Sequence, residues 1–370
     1  MSKTFSELPD RRDLAFVLWA HSNFGGMERR YTRLAAYLSK HLPGVRVSLF
    51  VRRGAEDTAK KFLGEDSLVR LVVFGGRHGG KSKIARALRD LFELVRMLST
   101  EKPHHVHVIQ NPGVISGVVA RTLGKRRPVS FSMVSGTYQE NTGAVGRLFA
   151  KISCTYGKSI DCLSEGTRDI LLNTIGRQGG AALKVAPCSF TDYSKTSVSS
   201  RKDIDVLMMA RFVTGKGYDL VEKIKDDMSD LEFHVCGFGP LQVDMDTYNV
   251  YNSTDPFNVM SRSKIFLSIQ ASNNYPSQSA LEAMASQCAI IATDVGETRK
   301  FLDEHCAILI PNDAGSLRNA IQALMQDPER LEALGRNARA RVLNEHTVER
   351  YASYFMDEIV GWHNPYYNRA

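Results

Sequence analysis

The sequence predicts an α/β protein built from two parallel, doubly wound sheets. Three observations point there. Short apolar runs alternate with helical patterns along almost the whole chain, the mark of strands joined by crossover helices. At 370 residues the chain exceeds what one hydrophobic core usually organises. The alternation also restarts after "CSFTDYSKTSVSSRKD", a Ser-, Thr- and Lys-rich stretch that reads as a linker.

In the first half the strand runs are 14–20, 45–51, 69–74, 105–109, 129–134, 159–164 and 184–186. The clearest helical patterns between them are 27–41, 83–100, 114–123 and 165–174. In the second half the strand runs are 206–210, 233–236, 265–269, 289–293 and 307–310, with helices at about 218–229, 278–287, 314–326 and 328–345. The pattern at 348–360 follows a completed second sheet, so it is expected to pack back on the first domain. The expected organisation is a first domain over 1–190, a linker over 191–202, a second domain over 203–346 and a returning helix over 347–370.

Composition narrows the class. Hydrophobic residues make up 43% and charged residues 24%, as in ordinary globular proteins. The six cysteines include no C-x-x-C pair, which argues against a disulfide scaffold or zinc ribbon and suits a reducing compartment. No apolar run reaches the roughly 18 residues of a spanning helix, and the polar "MSKTFSELPD" start does not read as a signal peptide. A cytoplasmic location is expected. Residues 1–190 carry 30 Lys and Arg against 15 Asp and Glu, and residues 191–370 carry 18 against 25. A basic half beside an acidic half suggests domains with different partners, the basic one suited to an anionic surface. Nucleic acid is not expected, because the basic residues lack interleaved aromatics for stacking.

Two motifs mislead. "GGRHGGKS" fits the G-x-x-x-x-G-K-[ST] phosphate loop through Gly75, Gly80, Lys81 and Ser82. No later strand ends in the Asp that such a site needs for magnesium, so a basic surface loop is expected instead. "CGFGPLQ" begins a dinucleotide fingerprint at Gly237 and Gly239, but Pro240 intrudes and Gln242 replaces the third Gly.

Three strand-to-helix turns carry more weight. In "AHSNFGGMERR", Gly25 and Gly26 offer backbone amides at a helix start, an anion site without a side-chain charge. In "ARFVTGKGYD", Arg211 and Lys216 stand at the carboxyl edge of a sheet between glycines, where they can clamp a diphosphate. In "NNYPSQSALEAMA", Ser277, Gln278 and Ser279 open a helix, and Glu282 about one turn on can accept two hydrogen bonds from a ribose diol. Solvated cations, a plain glycine turn and a dipole-favoured surface Glu are the ordinary readings of the same residues.

Taken together and in this order, these segments resemble the retaining glycosyltransferases of the GT-B fold, in particular glycosyltransferase family 4. "LSEGTRDIL", "ARFVTGKG", "CGFGPL" and "LEAMASQCAIIATDVGE" are similar to family segments, and the resemblance spans nearly the whole chain. It implies GT-B architecture, with two Rossmann-like domains facing a cleft and the C-terminal helix returning to the N-terminal domain. It implies transfer of a hexose-type sugar from UDP- or GDP-sugar without a bound metal or other cofactor. By the same resemblance Gly25 and Gly26 approach the donor phosphates and reaction centre. Arg211 and Lys216 neutralise the departing diphosphate. Gly237, Ser277, Gln278 and Ser279 line the donor, and Glu282, the second Glu of an E-x7-E motif, holds the ribose. Asn274 stands where the first Glu belongs, which alters or weakens donor-sugar contacts. Gln110 or Asn111 and Ser135 stand where family members often carry His, and His107 reads as a satisfied strand histidine. The implied acceptor is a glycan, expected to be a lipid-linked oligosaccharide of bacterial surface polysaccharide synthesis (O-antigen, capsule or exopolysaccharide). Peripheral binding to an anionic membrane is expected through loops 74–83 and 121–128. The alternatives are a degenerate GT-B binder without transferase activity and a sugar-nucleotide epimerase.

Overall fold

The computed structural model describes residues 11–20, 24–76, 82–136, 138–176, 180–191, 193, 196–237, 239–241, 249–251, 256–273 and 275–362. The chain divides into two compact units. Met1–Pro187 and Val348–Ala370 form one, and Cys188–Thr347 forms the other. The polar stretch 191–202 thus belongs to the second unit.

The first unit contains strands β1 Arg12–Leu18, β2 Val45–Arg52, β3 Arg70–Phe74, β4 His105–Ile109, β5 Val129–Met133, β6 Ser159–Cys162 and β7 Ala182–Val185. They form one parallel sheet in the order β3-β2-β1-β4-β5-β6-β7. β4 and β5 are buried at every position although they alternate polar and apolar residues, because His105, His107, Ser130 and Ser132 hydrogen-bond to one another across the two strands. One face packs on helices Lys83–Glu101, Val114–Leu123, Ala144–Tyr156 and Glu165–Ile175 around Phe74, Val108, Phe131 and Ile160. The helix at 144–156 is not evident as an apolar stripe. It is held by close approach instead: a Cβ on Gly117 would lie 2.7 Å from the Phe149 carbonyl oxygen, and one on Gly124 would fall inside contact with that of Tyr156.

The other face is covered by helix Gly26–His41 and the C-terminal segment. That segment runs as helix Val348–Tyr354 and then a wider π-helical stretch, Phe355–Val360. Phe355 stacks on Phe16 with ring centroids 5.5 Å apart and meets His107 edge-on at 4.9 Å. Beneath them lies a buried polar cluster. The Asp161 carboxylate accepts hydrogen bonds from the hydroxyls of Tyr31 (2.6 Å), Tyr354 (3.1 Å) and Tyr351. The segment ends with its Ile359 and Val360 carbonyls accepting from Ser159 Oγ (2.7 Å) and Lys158 Nζ (2.8 Å).

The second unit contains β8 Ile204–Met209, β9 Phe233–Cys236, β10 Asn249–Tyr251, β11 Ser263–Ser268, β12 Ala289–Thr293 and β13 Ala307–Ile310. They form a six-stranded parallel sheet in the order β10-β9-β8-β11-β12-β13. Helices Tyr218–Lys225 and Ala314–Gln326 cover one face. Helices Gln278–Ala285 and Pro328–Glu345 cover the other. The strand order reverses between β1 and β4 in one sheet and between β8 and β11 in the other. Ligands of open α/β sheets bind at the carboxyl edge of such reversals.

Candidate active site

In the second unit, β8 runs into the loop carrying Arg211 and Lys216, on the edge where the order reverses. Gly215 and Gly217 hold φ of +80° and +82°, the left-handed region that favours glycine. At Gly217 a side chain is also excluded by space, since a Cβ would sit 2.3 Å from Ile269 Cγ2 on the neighbouring loop. The Gly215 carbonyl accepts from the Ala271 amide at 3.0 Å, which ties this loop to the segment after β11. Gly237 serves packing of the same loop: a Cβ there would lie 2.0 Å from the Ala210 carbonyl oxygen, and the Leu241 amide donates to Phe212 at 3.0 Å. The CGFGPL glycines therefore let the β9 loop close on the segment that carries Arg211.

Lys216 is partly buried and its ammonium donates to the Gln270 side-chain oxygen. Burial, aided by the nearby Arg211 charge, holds its pKa below the ordinary lysine value. Arg211 is exposed. Among the described residues neither cation is paired with a carboxylate. Gln270 is in turn fixed by Thr293, whose hydroxyl accepts from the Gln270 amide and donates to its carbonyl, both at 2.8 Å. Neither Gln270 nor Thr293 stands out in the sequence. Each is a polar residue ending an apolar strand, and that position is the only signal they give.

Ser277 caps helix Gln278–Ala285. Its Oγ accepts from the Ala280 amide at 3.4 Å and lies 3.0 Å from Ser279 Oγ. Gln278 turns away to donate to the Phe190 carbonyl at 3.2 Å, which leaves its buried Oε1 without a partner. Glu282 is 4% exposed, so it is not a solvated first-turn Glu. Asn274 lies outside the described residues. Beside it, Asn273 accepts from the Glu297 amide at 3.1 Å and donates to the Glu297 carboxylate at 3.2 Å, which fixes the turn after β12. The second-unit loops thus bring together two cations, a helix N-terminus and the Gln270–Thr293 pair.

In the first unit, Gly25 caps helix Gly26–His41 in the chain after β1. The Gly25 amide donates to the Glu28 carboxylate at 2.9 Å. The backbone donor expected to meet a phosphate is thus engaged by the helix's own third residue, a capping arrangement the dipole favours. Gly26 opens the helix and is partly buried. At the end of β4 the buried Gln110 Oε1 has no partner, and Asn111 Oδ1 accepts from the Val134 amide at 2.8 Å. His107 is buried, with Nδ1 2.8 Å from Ser130 Oγ and Nε2 3.0 Å from Ser132 Oγ. Burial lowers its pKa well below the usual range, and the same cause takes His105 to about 3. Both are neutral structural side chains.

The phosphate-loop match fares poorly. Residues 77–81 lie outside the described residues, but the loop's first glycine is described. The Gly75 amide donates to the Glu93 carboxylate at 3.2 Å, and Asp90 sits 3.1 Å from where a Cβ would be. A phosphate there would face two carboxylates. Among the described residues, no cluster of three His, Cys, Asp or Glu is placed to hold a metal, and no helix is long and apolar enough to cross a membrane.

Comparisons with known proteins agree with this geometry. Sucrose-phosphate synthase from Thermosynechococcus elongatus superposes with a TM-score of 0.75 at 17% identity, covering 95% of this chain and 98% of that one. Anabaena HepE in complex with UDP and glucose gives 0.74 at 13%, covering 94% and 99%. WaaG, a glycosyltransferase involved in lipopolysaccharide biosynthesis, gives 0.67 at 14%, covering 94% and 100%. A curated relative, D-inositol 3-phosphate glycosyltransferase of Gordonia bronchialis, is 24% identical over 281 residues. That match takes in 68% of this chain but only 59% of the relative's length. Two doubly wound units of this kind have the GT-B fold, which these solved structures share. Residues 25–184 match the glycosyl transferase 4-like domain, and residues 217–357 match a glycosyl transferase-like family. The chain belongs to the group 1 glycosyltransferases.

Proposed function

We propose that the protein is a retaining hexosyltransferase. It uses a nucleotide diphosphate sugar, UDP-linked by preference over GDP-linked, and glycosylates a lipid-linked oligosaccharide of surface polysaccharide synthesis without a metal or other cofactor. The observation that carries the donor assignment is the placement of Arg211 and Lys216. Among the described residues they are free of carboxylates, at the reversal edge of the second sheet and beside the helix capped by Ser277. The solved complexes of HepE with UDP and UDP-glucose support the choice of base. WaaG's role in lipopolysaccharide supports the acceptor class.

In this chemistry the bond from sugar C1 to the diphosphate oxygen breaks. The acceptor hydroxyl oxygen bonds to C1 on the same face, and its proton passes to the leaving diphosphate. The residues supply orientation and charge. Arg211 and Lys216 stabilise negative charge growing on the diphosphate, the helix N-terminus adds its dipole, and Glu282 holds the ribose. Donor-sugar contacts fall to Ser277, Ser279 and Asn274.

Thermal stability with UDP, GDP, ADP and ATP, each with magnesium or with EDTA, tests this directly. UDP at 100 times its dissociation constant is expected to add about 2.7 kcal/mol, in EDTA as well as in magnesium. Stabilisation by ATP with magnesium alone would restore the phosphate-loop reading and overturn this one.

Lys216 gives the binding a pH signature. Only the ammonium form attracts the diphosphate, so UDP affinity is expected to hold through neutral pH and fall as pH rises through the Lys216 pKa. The midpoint lies below the usual lysine value of about 10.4 because burial and Arg211 both disfavour the charge. In Arg211→Gln the midpoint moves up. A midpoint that Arg211→Gln leaves in place would remove Lys216 from the diphosphate site.

The Glu28 contact to the Gly25 amide favours one second reading, a GT-B protein that binds nucleotide without transferring sugar. Product analysis with acceptor separates the two, since a binder stabilised by UDP forms no glycoside.

A further inference from the structure

We infer that Lys202 and Arg339 are positioning residues for the nucleotide-sugar donor, acting from the far end of the helix that Ser277 caps. Their role rests on the donor reading above and extends it to the groups that set where that helix stands.

Helix Gln278–Ala285 is eight residues long, about 12 Å. A helix this short does not hold itself, so its placement comes from its surroundings. The last carbonyls of a helix lack partners within it, yet here every carbonyl from Glu282 to Gln287 has a donor. Those of Glu282, Ala283 and Met284 accept from the amides of the turn, 286–288, each at 3.0 Å. The next three are taken by cations from distant segments. Arg339, on helix Pro328–Glu345, donates to the Ala285 carbonyl. Lys202 Nζ donates to the carbonyls of Gln287 at 2.8 Å and Ser286 at 3.4 Å. Both cations are partly buried, and among the described residues neither is paired with a carboxylate.

Lys202 has one more partner, the Ser263 carbonyl at 2.8 Å, at the first residue of β11. An ammonium has three N–H donors, and three backbone carbonyls take them. Lys202 therefore ties the amino end of β11 to the carboxyl end of the helix that follows it. A crossover helix runs antiparallel to the strands it joins, so the two opposite ends lie together at the carboxyl edge of the sheet. There β11 leads into Gln270, which holds the Lys216 ammonium, and the helix begins after Ser277. Pinning one end of a strand and helix fixes their offset at the other. The Lys202 contact thus sets the spacing between Lys216 and the helix N-terminus, the two groups assigned to the diphosphate. Charge adds to placement, because cations at a helix C-terminus favour the same dipole whose other end faces the diphosphate.

The turn that presents these carbonyls is strained. Gln287 holds φ of +60°, a region costly for a residue with a side chain, at a position where helices usually place glycine. Helix Pro328–Glu345 presses on it: a Cβ on Gly335 would lie 2.6 Å from the Gln287 carbonyl oxygen. Such strain persists only where the surroundings over-determine it, and here they fix the carbonyl that Lys202 grips. Neither cation stands out in the sequence. Lys202 ends the stretch that reads as a linker, and Arg339 lies in the basic run "RNARAR".

The test is UDP binding by calorimetry, well below every melting midpoint, for wild type, Lys202→Met, Arg339→Met and Leu324→Ala. Lys202→Met keeps the stem and removes the three donors. Leu324→Ala is the control, since Leu324 is fully buried on the opposite face of the sheet from helix Gln278–Ala285. Lys202→Met is expected to weaken UDP about threefold to thirtyfold, the range that a cation at a partly buried helix end is worth. Arg339→Met should weaken it in the same direction. Leu324→Ala should melt earlier yet bind UDP within twofold of wild type. Wild-type affinity in folded Lys202→Met overturns the inference. So does an equal loss in Leu324→Ala, which would make the effect one of general destabilisation. If Lys202→Met does not fold, Arg339→Met decides: a loss supports the inference and wild-type affinity overturns it. Failure of the wild type itself to bind UDP removes the donor reading and this inference with it, whereas equal binding by wild type and the folded variants removes the inference alone.

Discussion

Arg211→Ala and Lys216→Ala are each expected to lower sugar transfer by about 10²–10³-fold, the usual cost of removing one charge-stabilising group from a transition state. The loss should fall mainly on kcat, because the diphosphate gains charge only as the glycosidic bond breaks. The two variants differ in their effect on the fold. Arg211 is exposed and its removal leaves stability nearly unchanged. Lys216 donates to Gln270, which is 8% exposed, so Lys216→Ala orphans that oxygen and costs about 1–3 kcal/mol. Steady-state kinetics beside thermal melts separates the two effects. Transfer within tenfold of wild type in both variants would sink the assignment of these cations to the leaving group.

Asp161→Ala is expected to destabilise the first unit by about 2–4 kcal/mol. It takes the common acceptor from the hydroxyls of Tyr31, Tyr351 and Tyr354 at once. Tyr351→Phe, which removes one donor and leaves the carboxylate two, should cost about 1 kcal/mol. Denaturant unfolding gives the magnitudes, and limited proteolysis should show residues 348–360 cleaved first in Asp161→Ala. The pH dependence has a definite sign. Burial raises the Asp161 pKa above its ordinary value, so the folded chain holds this proton more tightly than the unfolded chain. Its contribution to stability therefore falls as pH rises from the unfolded value of about 3.9 towards the folded one, then stays level. That slope should be absent in Asp161→Ala. Equal stability of Asp161→Ala and wild type would show that the three tyrosines find other partners.

Most strands were legible because a strand buried on both faces writes itself as a short apolar run, as in β11 and β12. β10 was not, being three residues at a sheet edge. Helix Ala144–Tyr156 was not, because its contact with Val114–Leu123 is made through Gly117 and Gly124 rather than through a stripe of large side chains. Of the site, Arg211, Lys216, Ser277 and Glu282 could be named from their place after strands. Their support could not. Gln270 and Thr293 meet across 23 residues, and Glu28 closes on Gly25 in a way that "GGMER" allows but does not require. The phosphate-loop match failed for a reason no motif contains, since Asp90 and Glu93 belong to the helix that follows and return to Gly75 only once it is wound. Asp161 gives no signal in the sequence. Its partners stand 130, 190 and 193 residues away.

That separation has a consequence for how the molecule is made. When the ribosome has released residues 1–187, one face of the new sheet still lacks the layer that Tyr351, Phe355 and Ile359 supply. Phe16 and His107 wait uncovered, and Asp161 has one tyrosine of three. The missing layer emerges only after the 160 residues of Cys188–Thr347, on the order of ten to thirty seconds later at common elongation rates. The second unit, whose chain is continuous, can finish first. The first half of the protein is then an open intermediate for the whole of that interval, and it closes only after the second unit has been made.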